Sequence, residues 1–296
     1  MKNYSSVLII YNPNALKGKI DDYIPEIKKR LSLRYSVVDA MSSPEIDGAE
    51  SLALKYASKY DVLVSCGGDG TVHNVINGVM KSRADCVVGI LPFGTCNDVA
   101  RSLKIPCDFD KAIDCLLRLN ITKYSLMSAD DEFISYSLAT GYLTNSTYAT
   151  TNKQKKRLGR FAYFISAIKY LFKFKSLPIT ITADGERIHG KFIYFMLLNG
   201  EYAGGFRLNK NKEYNNGKTQ LVLIKKTKAL GGFFTFIKMF MFGIKSIRKS
   251  KCAIVKEVGK VKIENHANAP FTLDGEKTKF LKKEIVCKHT INIVKN

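Results

Sequence analysis

Four short stretches carry residues whose types and spacing suit phosphate chemistry. In "VLVSCGGDGTVHNVINGV" (62–79) an apolar run stops at Gly67, Gly68, Asp69 and Gly70, then resumes with helical spacing. Glycines let a backbone turn tightly and approach a ligand without Cβ interference. A helix start beyond them presents amide N–H groups and a positive dipole end to an anion. Asp69 would repel phosphate directly, so its chemistry would run through Mg2+ or a hydroxyl; the alternative is a tight turn capped by Asp69 or Thr71. "LPFGTCND" (91–98) repeats the logic with Gly94, Thr95, Asn97 and Asp98, the last two able to cap a helix over 99–103. "YNPNALKGK" (11–19) adds a third loop with Lys17 and Lys19. It is neither a Walker A loop nor a GxGxxG fingerprint. "PFTLDGEKT" (270–278) puts Asp274 and Glu276 at an Asp-Gly turn, which reads either as an ordinary hairpin or as the seat of a catalytic carboxylate.

The elements that must position these loops alternate. Strands are expected at 6–13, 35–40, 60–66 and 86–92, with helices at 21–33, 47–59 and 72–80 between them. That order predicts an α/β N-terminal domain with a doubly wound, largely parallel sheet. Such sheets bind ligands beyond the carboxyl ends of their strands, so loops 12–19, 66–71 and 92–98 should line one crevice. After about Lys123 the chain changes to short, often alternating strands joined by turn residues. We therefore expect domains at 1–122 and 123–286, the second β-rich, with a last strand near 287–296 returning to the first. Two helices, near 158–173 and 229–248, interrupt the second.

The 296 residues are 46% hydrophobic and 25% charged, enough for a real core. No apolar stretch is long enough to span a bilayer, and the N-terminus lacks a cleavage pattern. The seven cysteines include no CxxC pair and sit mostly in apolar segments, which suits buried thiols in a reducing cytosol. The net charge of +21 is segregated: residues 1–150 hold 16 Lys+Arg against 17 Asp+Glu, and residues 151–296 hold 31 against 9. A half-chain at +22 points to a polyanionic partner, either nucleic acid or an anionic membrane surface.

Taken together, "GGDGTVHNVINGV", "LPFGTCNDVARSL", the early "NP", "GRFAYFISAIKYL" and the late "LDGE" resemble the diacylglycerol kinase catalytic family over almost the whole chain. The likeness is to soluble bacterial diacylglycerol kinases, with sphingosine kinases and NAD kinases more distant. The resemblance implies an ATP site formed by Asn12, Pro13, Asn14, Ala15, Leu16, Ser42, Gly68, Asp69, Gly70, Thr71, Val72, His73, Asn74 and Thr95. It implies Glu276 as the base that takes a proton from a lipid hydroxyl, a sandwich-like second domain, and Mg2+ carried with ATP. Asp69 would serve Mg2+ or the acceptor network. The chain departs from the family at several points: Leu16 replaces the glycine of NPxSG, Asn74 the glutamate closing GGDGTxxE, and Ser125 an aspartate. Asn215 and Asn216 replace the acidic turn that holds a structural Mg2+; neutral amides serve a hard cation poorly.

The expected activity is ATP-dependent transfer of a γ-phosphate to a membrane lipid hydroxyl, diacylglycerol to phosphatidic acid. The alternatives are an NAD kinase-like small-molecule kinase or a catalytically weakened membrane-binding homologue. The expected location is cytoplasmic and peripheral to a membrane, on an anionic surface, with nucleic acid not a partner and a homodimer allowed. In "GGFFTFIKMFMFGIKSIRKSK" (231–251) Phe233, Ile237, Phe240, Ile244 and Ile247 fall on one helical face flanked by Lys238 and Lys245. That is the pattern of an interfacial helix, or of a helix packed on the core. The "NKQKKRLGR" run (152–160) adds basic charge.

Overall fold

The structure is a computed structural model, which describes residues 4–44, 48–141, 176–210, 212–227, 230–266 and 269–296. The expected helix at 158–173 and the basic run at 152–160 lie outside the described residues. The chain divides into two compact units, Met1–Leu126 with Asp131–Ser135 and His289–Asn296, and Met127–Asp130 with Tyr136–Lys288.

The first unit is α/β. Its elements are β1 (Ser6–Tyr11), α1 (Ile20–Leu31), β2 (Val37–Ser42), α2 (Gly48–Tyr56), β3 (Val62–Gly67), α3 (Asp69–Ser82), β4 (Val87–Pro92), α4 (Asp98–Ser102) and α5 (Phe109–Arg118). The four strands are parallel in the order β2-β1-β3-β4. Every residue of β3 and β4 is buried, which is why both read as unbroken apolar runs. α3 lies tight against α2: a Cβ on Gly78 would come within 2.5 Å of the Cβ of Ala53. The strand order reverses between β1 and β3, so the switch point of the sheet falls where two of the three candidate loops emerge.

The second unit is β-rich. β5 (Ile121–Ala129) runs from one unit into the other, and β6 (Glu132–Ile134) pairs with it. There follow β7 (Ser137–Gly141), β8 (Ile179–Ala183), β9 (Glu186–Ile188), β10 (Phe192–Leu198), β11 (Tyr202–Ala203), β12 (Phe206–Arg207) and β13 (Thr219–Lys225). Then come α6 (Gly231–Phe242), β14 (Ala253–Val258), β15 (Lys260–Asn265), β16 (Phe271–Leu273), β17 (Glu276–Thr278) and β18 (Lys282–Val294). One antiparallel sheet has the order β14-β13-β10-β7-β16-β17, with β10 wholly buried at its heart. The first part of β18 pairs with β15, and Ile293 near its end stands opposite Val88 of β4.

The helix expected over 229–248 is shorter, and of its two expected readings the core-packed one holds for the named stripe. α6 stops at Phe242, because Gly243 adopts φ 81 and ψ 170, and Ile244–Ile247 continue as a 3-10 turn. Ile244 and Ile247 are buried with Phe236, Met239 and Tyr194, and Phe233, Ile237 and Phe240 pack against the same cluster. The stripe that could have met either a membrane or the core is therefore the core face. The side chains turned outward are Phe234, Met241 and Phe242, which are 62%, 63% and 65% exposed, with Leu230 just before them. The segment is apolar nearly all round, so periodicity alone does not tell the inner stripe from the outer one.

These two faces should behave differently on substitution. Phe236→Ala empties a fully packed site and should lower stability by about 3–5 kcal/mol. Phe234→Ser should change it by no more than about 0.5 kcal/mol. Denaturant titration of the two variants distinguishes them, and equal losses would reverse the assignment of the faces.

Candidate active site

The three loops meet at the carboxyl ends of adjacent parallel strands. The expected loop over 66–71 is reduced to Gly68 alone, since β3 runs through Gly67 and α3 begins at Asp69. Gly68 is extended, with φ −94 and ψ −171. The first bond of the helix joins the Val72 N–H to the Gly68 carbonyl. The amides of Asp69, Gly70 and Thr71 thus have no intrahelical acceptor, and they aim the positive end of α3 outward.

The second loop touches the first backbone to backbone. A Cβ on Gly94 would lie 2.5 Å from the Cα of Gly68 and 2.7 Å from Oδ1 of Asn97, so only glycine fits. Asn97 fixes its own loop: its Nδ2 donates to the carbonyls of Pro92 (3.1 Å) and Gly94 (3.0 Å), and its Oδ1 accepts the Gly94 N–H (2.9 Å). Its side chain does not cap α4. That acceptor comes instead from Asp69, whose Oδ2 takes the Asn97 N–H at 2.8 Å and whose Oδ1 takes the Asp98 N–H at 2.6 Å. One carboxylate thereby clamps the two glycine-bearing strand ends together. Asp98 is itself buried, whereas Thr95 is exposed at the tip.

The first loop is joined to β3 by the Asn12 N–H, which donates to the Cys66 carbonyl at 3.2 Å. The Asn12 side chain accepts the Asn14 N–H at 2.8 Å and folds Pro13 and Asn14 into a turn. Ala15 is buried behind it. Leu16, which stands in place of the family glycine, has φ 52 and ψ 33. A left-handed conformation that suits glycine is thus adopted by a leucine, at a cost of about 1–3 kcal/mol. Ser42 ends β2 opposite Tyr11, exposed at the same edge. Burial raises the Tyr11 pKa, with a hydrogen bond to Asp21 adding to it. Cys66, fully enclosed in β3, has its thiol pKa pushed up by burial, which leaves it no role as a thiolate.

Val72, His73 and Asn74, in the first turns of α3, are buried, and the His73 ring lies 3.4 Å from Nδ2 of Asn77. In the stretch 68–74, the amides at the helix start are the groups with the chemistry to meet an anion. Glu276 is exposed on the second unit, at the first position of β17. It follows a two-residue turn in which Asp274 (φ 47) and Gly275 (φ 92) are both left-handed, the geometry an Asp-Gly hairpin favours. Asp274 is buried, and its Oδ1 accepts the N–H groups of Tyr136 and Ser137, each at 2.9 Å. This anchor of the Glu276 turn is a role that "LDGE" alone did not disclose.

The two metals implied by the resemblance fare differently. Among the described residues no group of three or more His, Cys, Asp and Glu side chains is placed to hold an ion. At 215–216 the donors are amides, and Oδ1 of Asn216 already accepts from the Lys218 N–H (3.1 Å) and Lys212 Nζ (3.2 Å). That set does not fit a structural divalent ion. A nucleotide and the Mg2+ it carries fit the open start of α3, because phosphate oxygens supply ligands of their own.

An α/β unit with glycine-framed loops at its switch point defines a doubly wound fold of the kind that takes ligands beyond the carboxyl ends of its strands. The model of the diacylglycerol kinase catalytic domain matches residues 6–129. A diacylglycerol kinase of Staphylococcus saprophyticus is 31% identical over 220 residues, covering 74% of this chain and 72% of that one. One from Staphylococcus carnosus is 27% identical over 273 residues, covering 90% and 87%. Among solved structures, a diacylglycerol kinase from Bacillus anthracis str. Sterne superposes with a TM-score of 0.80 at 20% identity, covering 100% of this chain and 98% of that one. This chain belongs to the diacylglycerol kinase family, and it is a kinase.

Removing the clamp should loosen both loops. Asp69→Ala strands two amides at about 1–3 kcal/mol each. Thermal unfolding should show a destabilised but folded protein, and amide exchange should rise at Asn97 and Asp98. Unchanged exchange at both positions would discard the clamp.

Proposed function

We propose that the protein is an ATP-dependent lipid kinase that phosphorylates a membrane lipid hydroxyl, with diacylglycerol the substrate and phosphatidic acid the product. The observation that carries this reading is the Asp69 clamp, which brings two glycine-bearing strand ends to the open start of α3. ATP, when bound, supplies the transferable phosphoryl group, and its Mg2+ offsets the charge on the phosphates. The amides of Gly68 to Thr71 hold and orient the phosphates, with Thr95 offering a hydroxyl from the neighbouring loop. Asn12 to Leu16 and Ser42 frame the rest of the nucleotide. Glu276 accepts the proton of the acceptor hydroxyl as that oxygen forms its bond to phosphorus.

A lipid substrate requires docking on a bilayer, and no helix among the described residues is long and apolar enough to cross one. The outward face of α6 suits surface docking. Between Glu213 and Glu257 the sequence holds ten Lys and Arg and no acid. The exposed Phe234, Met241 and Phe242 sit within that basic stretch. Apolar side chains entering the headgroup region beside basic charge are the signature of interfacial binding to anionic lipid.

The chemistry is tested with labelled ATP, Mg2+ and a panel of lipids in mixed micelles. Labelled phosphatidic acid is expected; turnover of NAD or of no lipid would refute the reading. Glu276→Gln, at an exposed position, should keep the fold and lower kcat by roughly 10²–10⁴-fold, the range of general-base catalysis. Phe234→Ser with Phe242→Ser should weaken binding to anionic vesicles and leave the fold intact. Vesicle binding that ignores both these changes and rising salt would remove α6 from the docking surface.

A further inference from the structure

We propose that the ammonium of Lys212 is the resident cation of the loop 212–218, and that the second unit is organised by this side chain without a divalent metal. The inference does not depend on the substrate or on the proposed reaction.

Lysine is almost never buried without partners, yet Lys212 is only 7% exposed. Its Nζ donates to the Lys218 carbonyl at 2.6 Å and to Oδ1 of Asn216 at 3.2 Å. The same Asn216 oxygen accepts the Lys218 N–H at 3.1 Å, so one side chain draws both ends of the loop inward. Between them Gly217 is left-handed at φ 62, and a Cβ there would stand 3.2 Å from the Cys287 carbonyl oxygen. The loop then runs directly into β13, which pairs with both β10 and β14.

Loop oxygens that converge on a buried positive charge do what the ligands of a bound cation do. A divalent ion would need carboxylates, and this loop offers an amide and a carbonyl. Neutral oxygens suit a singly charged ammonium, which brings three donors of its own. Burial holds the Lys212 pKa below its ordinary value, and the carboxylates of Glu257 and Glu213 offset only part of that shift. Glu257 stands on β14 opposite Gln220 of β13, so its negative charge comes from the adjoining strand. A divalent ion entering this loop would meet the ammonium already there and be repelled by it.

The test is thermal unfolding of the full chain without nucleotide or lipid, followed by circular dichroism. Wild-type protein should melt at the same temperature in EDTA and in millimolar Mg2+; a midpoint several degrees higher with Mg2+ would overturn the proposal. Lys212→Met keeps the chain length and removes every donor, leaving the Lys218 carbonyl buried without its partner. In EDTA its midpoint should fall by several degrees, and a midpoint equal to wild type would also overturn the proposal. If that variant does not fold, metal analysis of dialysed wild-type protein decides. No stoichiometric metal is expected, and one retained Mg2+ per chain would reject the assignment.

Discussion

The candidate site depends on one carboxylate. Two glycines that touch through their backbones have no side chains with which to hold each other, and the van der Waals contact between Gly68 and Gly94 is weak. Asp69 supplies the missing tie through charge-assisted bonds to the amides of Asn97 and Asp98. The tie also aligns two helix starts, because Asp69 opens α3 while its side chain serves the first amides of α4. An aspartate read only as a metal ligand would leave this alignment without a cause.

The same device recurs through the chain. Asp61 accepts the amides of Ser5 and Ser6, Asp184 those of Gly259 and Lys260, and Asp274 those of Tyr136 and Ser137. In each case a side chain takes two successive backbone donors from a segment distant in sequence. Carboxylates used in this way are committed to the backbone. The second half of the chain holds only 9 acids against 31 basic residues, and Asp184 and Asp274 are among those 9. Asp184 remains exposed, but the burial of Asp274 withdraws one of those acids from the surface and adds to the basic character that the charge count suggests, on the surface we assign to anionic lipid.

The alternation of strand and helix in the first unit was legible because β3 and β4 are buried on both faces and therefore carry uninterrupted apolar runs. The glycine motifs were legible as well, though the helix begins at Asp69, earlier than the apolar spacing implied, since polar residues of a first turn carry no periodic signal. The clamp was not legible, because Asp69 and the loop whose amides it accepts lie 28 residues apart and nothing local marks the pairing. α6 was legible as a helix but its stripe was left between an interfacial and a core reading, since Phe233 and Phe234 are chemically alike and only packing separates them. Lys212 left no trace at all among the lysines and asparagines of its loop.

Where the chain departs from its family, backbone geometry is kept by other means. Leu16 is left-handed where the family motif has a glycine, so the loop after β1 is held by its surroundings, among them the Asn12 turn and the bond to Cys66, and not by the residue itself. At 212–218 a positive centre persists although the acids have gone, carried by a side chain in place of an ion. In both places the fold fixes a local requirement, a left-handed residue or a buried cation, and more than one chemistry can meet it. A departure from a motif is therefore weighed by whether the local requirement is still met, and at both of these positions it is.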